Sequence, residues 1–170
     1  MHKAGFVTIL GNPNVGKSTL MNQLIGERLS IITNKVQTTR HRILGIVSED
    51  DYQIVFSDTP GVINPHHDLH SAMMKFVKNS LEDADVILYM VDCNREDLKD
   101  LTFLEKIEKL KTPIILLVNK IDLLEQKEVN TLLDYWKIKM PAVRVLPISA
   151  LKFFNIERIK EEILDFLPES

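Results

Sequence analysis

The sequence is short of cysteine and of long apolar runs. Its 170 residues include one cysteine, Cys93, so no disulfide can form within the chain and a reducing compartment is expected. No apolar run approaches the roughly 18 residues of a membrane-spanning helix. The N-terminal residues lead directly into a strand pattern rather than a signal segment. We therefore expect a cytoplasmic protein without an integral membrane segment.

The sequence also has no excess of basic residues and few aromatic residues. The 21 Lys and Arg residues face 24 Asp and Glu residues, which gives a formal net charge of −3. Aromatic residues make up 6%, and no stacking platform is visible. A chain that acts only as an RNA-binding module is therefore disfavoured, although a local basic patch is compatible with these counts. The ordinary globular composition predicts one folded domain, residues 1–168.

Short apolar runs alternate with segments of helical periodicity. Strands are predicted at 5–10, 42–47, 52–57, 85–91, 113–118 and 142–148, and helices at 17–26, 69–81, 97–110, 126–139 and about 155–167. The pair 42–47 and 52–57 indicates a hairpin. The pattern predicts an α/β domain: a six-stranded, mostly parallel sheet with one antiparallel edge strand, helices on both faces, and ligands at the strands' carboxyl ends.

A glycine-rich stretch, GNPNVGKST, lies between the first strand and the first helix. This context predicts a phosphate-binding loop, because backbone N–H groups and the helix N-terminus attract phosphate. Lys17 would neutralise the β- and γ-phosphates, and the Ser18 hydroxyl would bind Mg²⁺. The nucleotide-binding residues predicted here are Gly11, Asn12, Pro13, Asn14, Val15, Gly16, Lys17, Ser18 and Thr19.

The stretch NKID, residues 119–122, directly follows the fifth predicted strand. A carboxylate at Asp122 would accept two hydrogen bonds from guanine N1–H and the 2-amino group, and adenine would leave it unpaired. Asn119 is expected to tie this loop to the phosphate loop, and the stem of Lys120 to lie over the base plane. The sequence therefore predicts guanine specificity.

Two shorter stretches complete the predicted site. In DTPG, Asp58 ends the third strand and would hold Mg²⁺, while the Gly61 N–H would reach the γ-phosphate. Thr59 and Pro60 lie between them and are predicted to line the site. After the last strand, Ser149, Ala150 and Leu151 offer backbone N–H groups to guanine O6.

The order and spacing of these stretches are similar to those of the GTPase superfamily. GFVTILGNPNVGKSTLMNQLIGE, QTTRHRILGI and SDTPGV resemble the Era family most closely, over essentially the whole chain. The resemblance implies a P-loop G domain that hydrolyses GTP to GDP with Mg²⁺, and switches at residues 27–42 and 60 to about 80. Thr39, favoured over Thr38, would meet Mg²⁺. Lys17, Asn14, Gly61 and Thr39 are the implied catalytic residues.

The resemblance also carries expectations about partners. Era proteins carry a C-terminal KH domain that binds small-subunit ribosomal RNA, and this sequence contains no such domain. The implied role is assembly of the small ribosomal subunit on 16S rRNA when the G domain is joined to a KH domain. Peripheral membrane association in the family is a further implication. The alternative is a G domain of a Der- or MnmE-like GTPase, which typically reads TTRD where His41 follows Arg40 here.

One expected residue is absent from the pattern. Ras-type GTPases place a water-orienting glutamine just after DxxG, and Val62 occupies that position here. In the GTPases that PNVGKS resembles, the asparagine corresponding to Asn14 helps to hold K⁺. The resemblance therefore implies K⁺ assistance at Asn14; an alternative is that Asn14 only shapes the turn. A GTP/GDP binding switch with negligible turnover is the competing function.

Overall fold

Six strands form one sheet in the computed structural model, which describes residues 2–11, 15–26, 42–58, 81, 83–93, 105 and 107–170. They are β1 (Lys3–Gly11), β2 (Arg42–Ser48), β3 (Tyr52–Asp58), β4 (Val86–Asp92), β5 (Ile114–Asn119) and β6 (Arg144–Pro147). The spatial order is β2-β3-β1-β4-β5-β6. Only β2 and β3 pair antiparallel among these strands. The predicted mostly parallel sheet with one antiparallel edge strand is confirmed.

The central strands are buried on both faces of the sheet. All residues of β5 and all but the last of β4 are buried, which matches their continuous apolar sequences IILLVN and VILYMVD. Such strands need helices on both sides, because either exposed face would leave a row of apolar side chains in water.

Three α-helices have their full bounds within these ranges: α1 (Lys17–Ile25), α2 (Gln126–Lys139) and α3 (Ile156–Phe166). Apolar residues of α1 and α3 join one core cluster, and Trp136 of α2 joins the other. The helices therefore cover both faces, as the sequence predicts. The predicted helices at 69–81 and 97–110 fall mostly outside the described residues. No helix among the described residues is long and apolar enough to cross a membrane.

The inner face of α3 carries a charged cluster. Glu162 is buried and forms ion pairs with Arg144 of β6 and, at 3.0 Å, with Arg158 one turn earlier. The two arginines remain partly exposed, so solvent screens the pairs.

Replacing Glu162 by Gln should lower the free energy of unfolding by about 1–2 kcal/mol, because it leaves two guanidinium groups without their shared carboxylate. Urea unfolding measures this. Glu157→Gln is the matched control, since Glu157 is 82% exposed and lies 3.6 Å from Lys160. Equal effects of the two substitutions would contradict a stabilising role for the cluster.

The two ends of the chain meet beside the start of β1. The N–H of Ala4 donates to the Pro168 carbonyl at 3.3 Å, and the N–H of Ser170 donates to the His2 carbonyl at 2.9 Å. Lys3 and Glu169 form a β-bridge. β1 runs from this point towards the predicted phosphate loop, so the chain ends lie at the opposite edge of the sheet from that loop.

Candidate nucleotide-binding site

The polar residues predicted from the sequence gather at the carboxyl edge of the sheet. β1 ends at Gly11, β3 at Asp58 and β5 at Asn119. Parallel strands end at the same edge, so the loops that follow β1, β3, β5 and β6 border one surface. In register, Gly11 pairs with Met90 and Asp92 pairs with Asn119.

The described part of the phosphate loop is close-packed around its glycines. Gly16 has φ of 97°, in the left-handed region, and a Cβ there would overlap Nδ2 of Asn119. A Cβ on Gly11 would lie 2.9 Å from the Met90 carbonyl oxygen. Val15 is buried between these glycines. Glycine is therefore required at residue 16 both by backbone conformation and by the neighbouring side chain.

Lys17 and Asp58 form an ion pair with 2.8 Å between Nζ and Oδ2. Lys17 is the first residue of α1, and the exposed Ser18 and Thr19 follow in the same turn. A cavity of about 170 Å³ is bordered by Lys17, Ser18, Met21, Asn22, Ile25, Leu44 and Asp58. A hydroxyl and a carboxylate on one cavity form a hard oxygen donor set of the kind that Mg²⁺ takes, and the ammonium group of Lys17 suits phosphate.

Asn119 joins three loops. Its side chain is buried, its Nδ2 donates to the Val15 carbonyl at 2.7 Å, and its Oδ1 accepts from the Ala150 N–H at 3.0 Å. The predicted link between the base loop, residues 119–122, and the phosphate loop is therefore confirmed. The Ala150 N–H, which the sequence analysis offers to guanine O6, is engaged by Asn119 in this structure.

Asp122 is held by a side chain whose role the sequence analysis does not identify. The Ser149 hydroxyl donates to Asp122 Oδ1 at 2.7 Å, and the Lys152 N–H donates to Ser149 Oγ at 3.1 Å. The amide of Gln23 on α1 donates to the Ala150 carbonyl and links this loop to α1. Ser149 thus orients one carboxylate oxygen of Asp122.

Lys120 is anchored by the end of β4. Its Nζ lies 2.9 Å from Asp92 Oδ2, and its backbone is left-handed with φ of 67°. The neighbouring Cys93 donates its thiol to the Lys120 carbonyl at 3.4 Å. Burial, and next the charge of Asp92, raise the pKa of Cys93 to about 11, so the thiol stays protonated and unreactive at neutral pH. Cys93 is therefore a small packed residue with a thiol donor rather than a nucleophile.

Several predicted site residues lie outside the described part of the chain: Asn12, Pro13, Asn14, Thr39, its alternative Thr38, Thr59, Pro60 and Gly61; so does Val62, at the position of the missing glutamine. Their roles stay predictions, as do the two switch segments. Leu151 is described and exposed beside Ala150. Gln23 and Asp92 contact the site although no motif in the sequence marks them; of the two, only Asp92 has a visible signal, because it ends a buried strand beside the strand that precedes NKID.

Comparison with known proteins adds an independent line of evidence. Residues 6–120 match the family described as 50S ribosome-binding GTPase. The chain is 44% identical over 169 residues to the GTPase Era of Alkaliphilus metalliredigens strain QYMF, covering 99% of this chain and 57% of that protein. The chain therefore spans somewhat more than half the length of this relative.

Two solved Era structures are similar to this fold. One is Era in complex with MgGDPNP and nucleotides 1506–1542 of 16S ribosomal RNA, with 39% identity and a TM-score of 0.74 over 100% of this chain and 59% of that one. The other is an Aquifex aeolicus Era variant bound to GDP·AlF4⁻, with 39% identity and a TM-score of 0.72 over 99% and 58%. Both similarities extend over the sheet and the helices described above. The chain is similar over its whole length to part of the Era proteins, and it belongs to the 50S ribosome-binding GTPase family.

Proposed function

We propose that this domain binds GTP together with Mg²⁺ and hydrolyses it to GDP and phosphate as a molecular switch. The observation that carries the proposal is the side chain of Asn119, which is bonded both to the phosphate loop at Val15 and to the loop of Ala150. A single buried amide thereby sets the spacing between a phosphate-binding loop and a base-binding loop. That spacing is what a nucleotide site must define.

The phosphate end of the site would exchange its own ion pair for contacts to the ligand. Lys17 would turn from Asp58 to the β- and γ-phosphates, and the Ser18 hydroxyl, Asp58 and Thr39 would hold Mg²⁺. The ion would supply neutralisation of charge on the phosphate oxygens. The Gly61 N–H would contact the γ-phosphate, where a water molecule attacks and GDP leaves.

The base end of the site would select guanine. Asp122 would accept hydrogen bonds from N1–H and the 2-amino group, with its carboxylate held in place by Ser149. The stem of Lys120 would cover one face of the base. The Leu151 N–H would approach O6, and the Ala150 N–H would do so only on leaving Asn119 Oδ1, to which it donates at 3.0 Å. Adenine offers an acceptor at N1 and no 2-amino group, so it would leave the carboxylate unpaired.

Catalysis needs an oriented water and positive charge beside the γ-phosphate, and the apolar Val62 supplies neither. We propose that K⁺, held in part by Asn14, supplies it, as the resemblance to other PNVGKS GTPases implies. The test is single-turnover GTP hydrolysis in KCl and in NaCl at equal ionic strength. We expect K⁺ to accelerate hydrolysis by at least about 10-fold, a modest share of the 10³–10⁵ that an arginine finger supplies.

The variant Asn14→Ala should lose this acceleration while still binding GDP. Asn130→Ala, on the exposed face of α2, is the matched control and should keep it. Equal slow rates in both salts would contradict the K⁺ proposal and favour the competing function, a binding switch that presents its loops to a partner.

The wider role extends beyond this chain. The relative bound to MgGDPNP and 16S ribosomal RNA supports a role in assembly of the small ribosomal subunit. We propose that the G domain acts there when joined to a KH domain, which would make most of the RNA contacts. The cytoplasmic location and the peripheral membrane association stay predictions. The ribosomal role is tested by comparing how much of the protein sediments with small ribosomal subunits in GTP and in GDP.

A further inference from the structure

The carboxyl end of β4 contacts the start of the base loop in three places. The Cys93 N–H donates to the Asn119 carbonyl at 3.1 Å, and the Cys93 thiol donates to the Lys120 carbonyl at 3.4 Å. The third contact is the ion pair between Asp92 and Lys120, at 2.9 Å. Two backbone carbonyls and one side chain are thus held by Asp92, the last residue of β4, and by Cys93, which follows it.

These contacts act on a strained residue. Lys120 has φ of 67°, and a left-handed backbone is unfavourable for a residue other than glycine. The turn at Lys120 directs the chain into the short 3₁₀ turn Ile121–Leu123, which carries Asp122. A change in the torsion angles of Lys120 would therefore displace the Asp122 carboxylate.

We propose that Asp92 is a positioning residue for guanine recognition, which acts through Lys120 to hold Asp122 in register with the base. The inference rests on the proposed guanine-nucleotide binding and adds a residue to it. Asp92 would also keep the Lys120 stem fixed beside the base plane. The ion pair suits this task because Asp92 and Lys120 side chains are only 20% and 36% exposed, so water competes weakly for the carboxylate.

Cys93 supports the same arrangement from the backbone side. Because its thiol stays protonated at neutral pH, it remains a donor to the Lys120 carbonyl. The negative charge of Asp92 helps to keep it so by raising the Cys93 pKa, after the larger effect of burial.

The test compares the affinities of GDP and inosine diphosphate by calorimetry. Inosine lacks the 2-amino group and so gives Asp122 one hydrogen bond fewer. In Asp92→Asn we expect GDP affinity to fall by about 3- to 10-fold. We also expect the ratio of GDP to inosine diphosphate affinity to shrink, because a displaced Asp122 gains less from the amino group. A general loss of stability would weaken both ligands equally.

Two further variants show whether Asp92 acts through Lys120. In a Lys120→Met background, Asp92→Asn should lower GDP affinity by less than about 2-fold, because the ion pair between Asp92 and Lys120 is already absent. Asp92→Glu, which keeps the carboxylate, should retain part of the ratio of GDP to inosine diphosphate affinity that Asp92→Asn loses. Asp134→Asn, an exposed carboxylate change on α2, is the matched control and should leave both affinities unchanged.

The outcomes separate the two proposals. Failure of the parent chain to bind GDP would overturn the proposed function and this inference together. Two outcomes would overturn the role of Asp92 alone in a parent chain that binds GDP. One is an unchanged ratio of GDP to inosine diphosphate affinity in Asp92→Asn. The other is that Asp92→Asn lowers GDP affinity as much in the Lys120→Met background as in the parent.

Discussion

Asp122→Asn is expected to lower GDP affinity by about 10²-fold or more, because a donor then faces the two guanine donors. Xanthosine diphosphate, which presents a carbonyl at the 2-position, should gain affinity in the same variant. The carboxamide oxygen of the variant can still accept from the Ser149 hydroxyl, which donates to Asp122 at 2.7 Å. The substitution therefore changes recognition while preserving the local fold.

Calorimetric titration of both nucleotides into both proteins measures the exchange of preference. Asp134→Asn again serves as the control, since it makes the same chemical change on an exposed helical surface. An unchanged preference for GDP in Asp122→Asn would refute the assignment of Asp122 as the base-recognising residue.

Gly16→Ala is expected to abolish measurable nucleotide binding and to lower the free energy of unfolding by about 2–4 kcal/mol. Two effects combine. The left-handed backbone, with φ of 97°, is unfavourable for alanine, and the added Cβ would overlap Nδ2 of Asn119. Moving Asn119 breaks its buried bond to Val15, which is 2.7 Å long. The phosphate and base loops would then lose their common tether.

Gly26→Ala separates these two effects. Gly26 also has a positive φ, of 63°, but no atom of the described residues lies within 4 Å of the place a Cβ would occupy. With ψ of −158°, Gly26 lies in a backbone region that is occupied almost only by glycine, so Gly26→Ala should lose only this backbone contribution, about 1–3 kcal/mol, and retain GDP binding. Urea unfolding and calorimetry measure both properties. If Gly16→Ala proved as mild as Gly26→Ala, the steric contact with Asn119 would have no consequence.

The sheet and the positions of its loops follow from local sequence patterns. Continuous apolar runs such as IILLVN identify buried parallel strands, and the hairpin of β2 and β3 is visible from two short runs and a polar turn. The sequence also predicts the link from Asn119 to the phosphate loop, because both segments follow parallel strands. The length of the apolar runs, their order along the chain and the polar residues that follow them determine these features, and all three are visible in the sequence.

The contacts that position the base loop join residues that are far apart in the sequence. Ser149 reaches Asp122 from 27 positions away, and Gln23 reaches Ala150 from 127 positions away. A serine and a glutamine are ordinary residues on any loop or helix, so composition carries no sign of these roles. Asp92 is intermediate: its place at the end of a buried strand is visible, but its partner is known only once β4 and β5 are aligned.

The adjoining chain ends have a consequence for signalling. β1, from residue 3 to residue 11, separates them from the phosphate loop by about 26 Å, at roughly 3.3 Å for each step from one residue to the next. Any segment joined at residue 2 or residue 170 would start on the side of the sheet remote from the γ-phosphate. If the domain hydrolyses GTP as proposed, a signal of hydrolysis would reach such a segment through surface loops that contact it. A reporter fused at residue 2 or residue 170 should therefore leave the rate of nucleotide exchange unchanged. A crosslink between a surface loop and that reporter should change the rate.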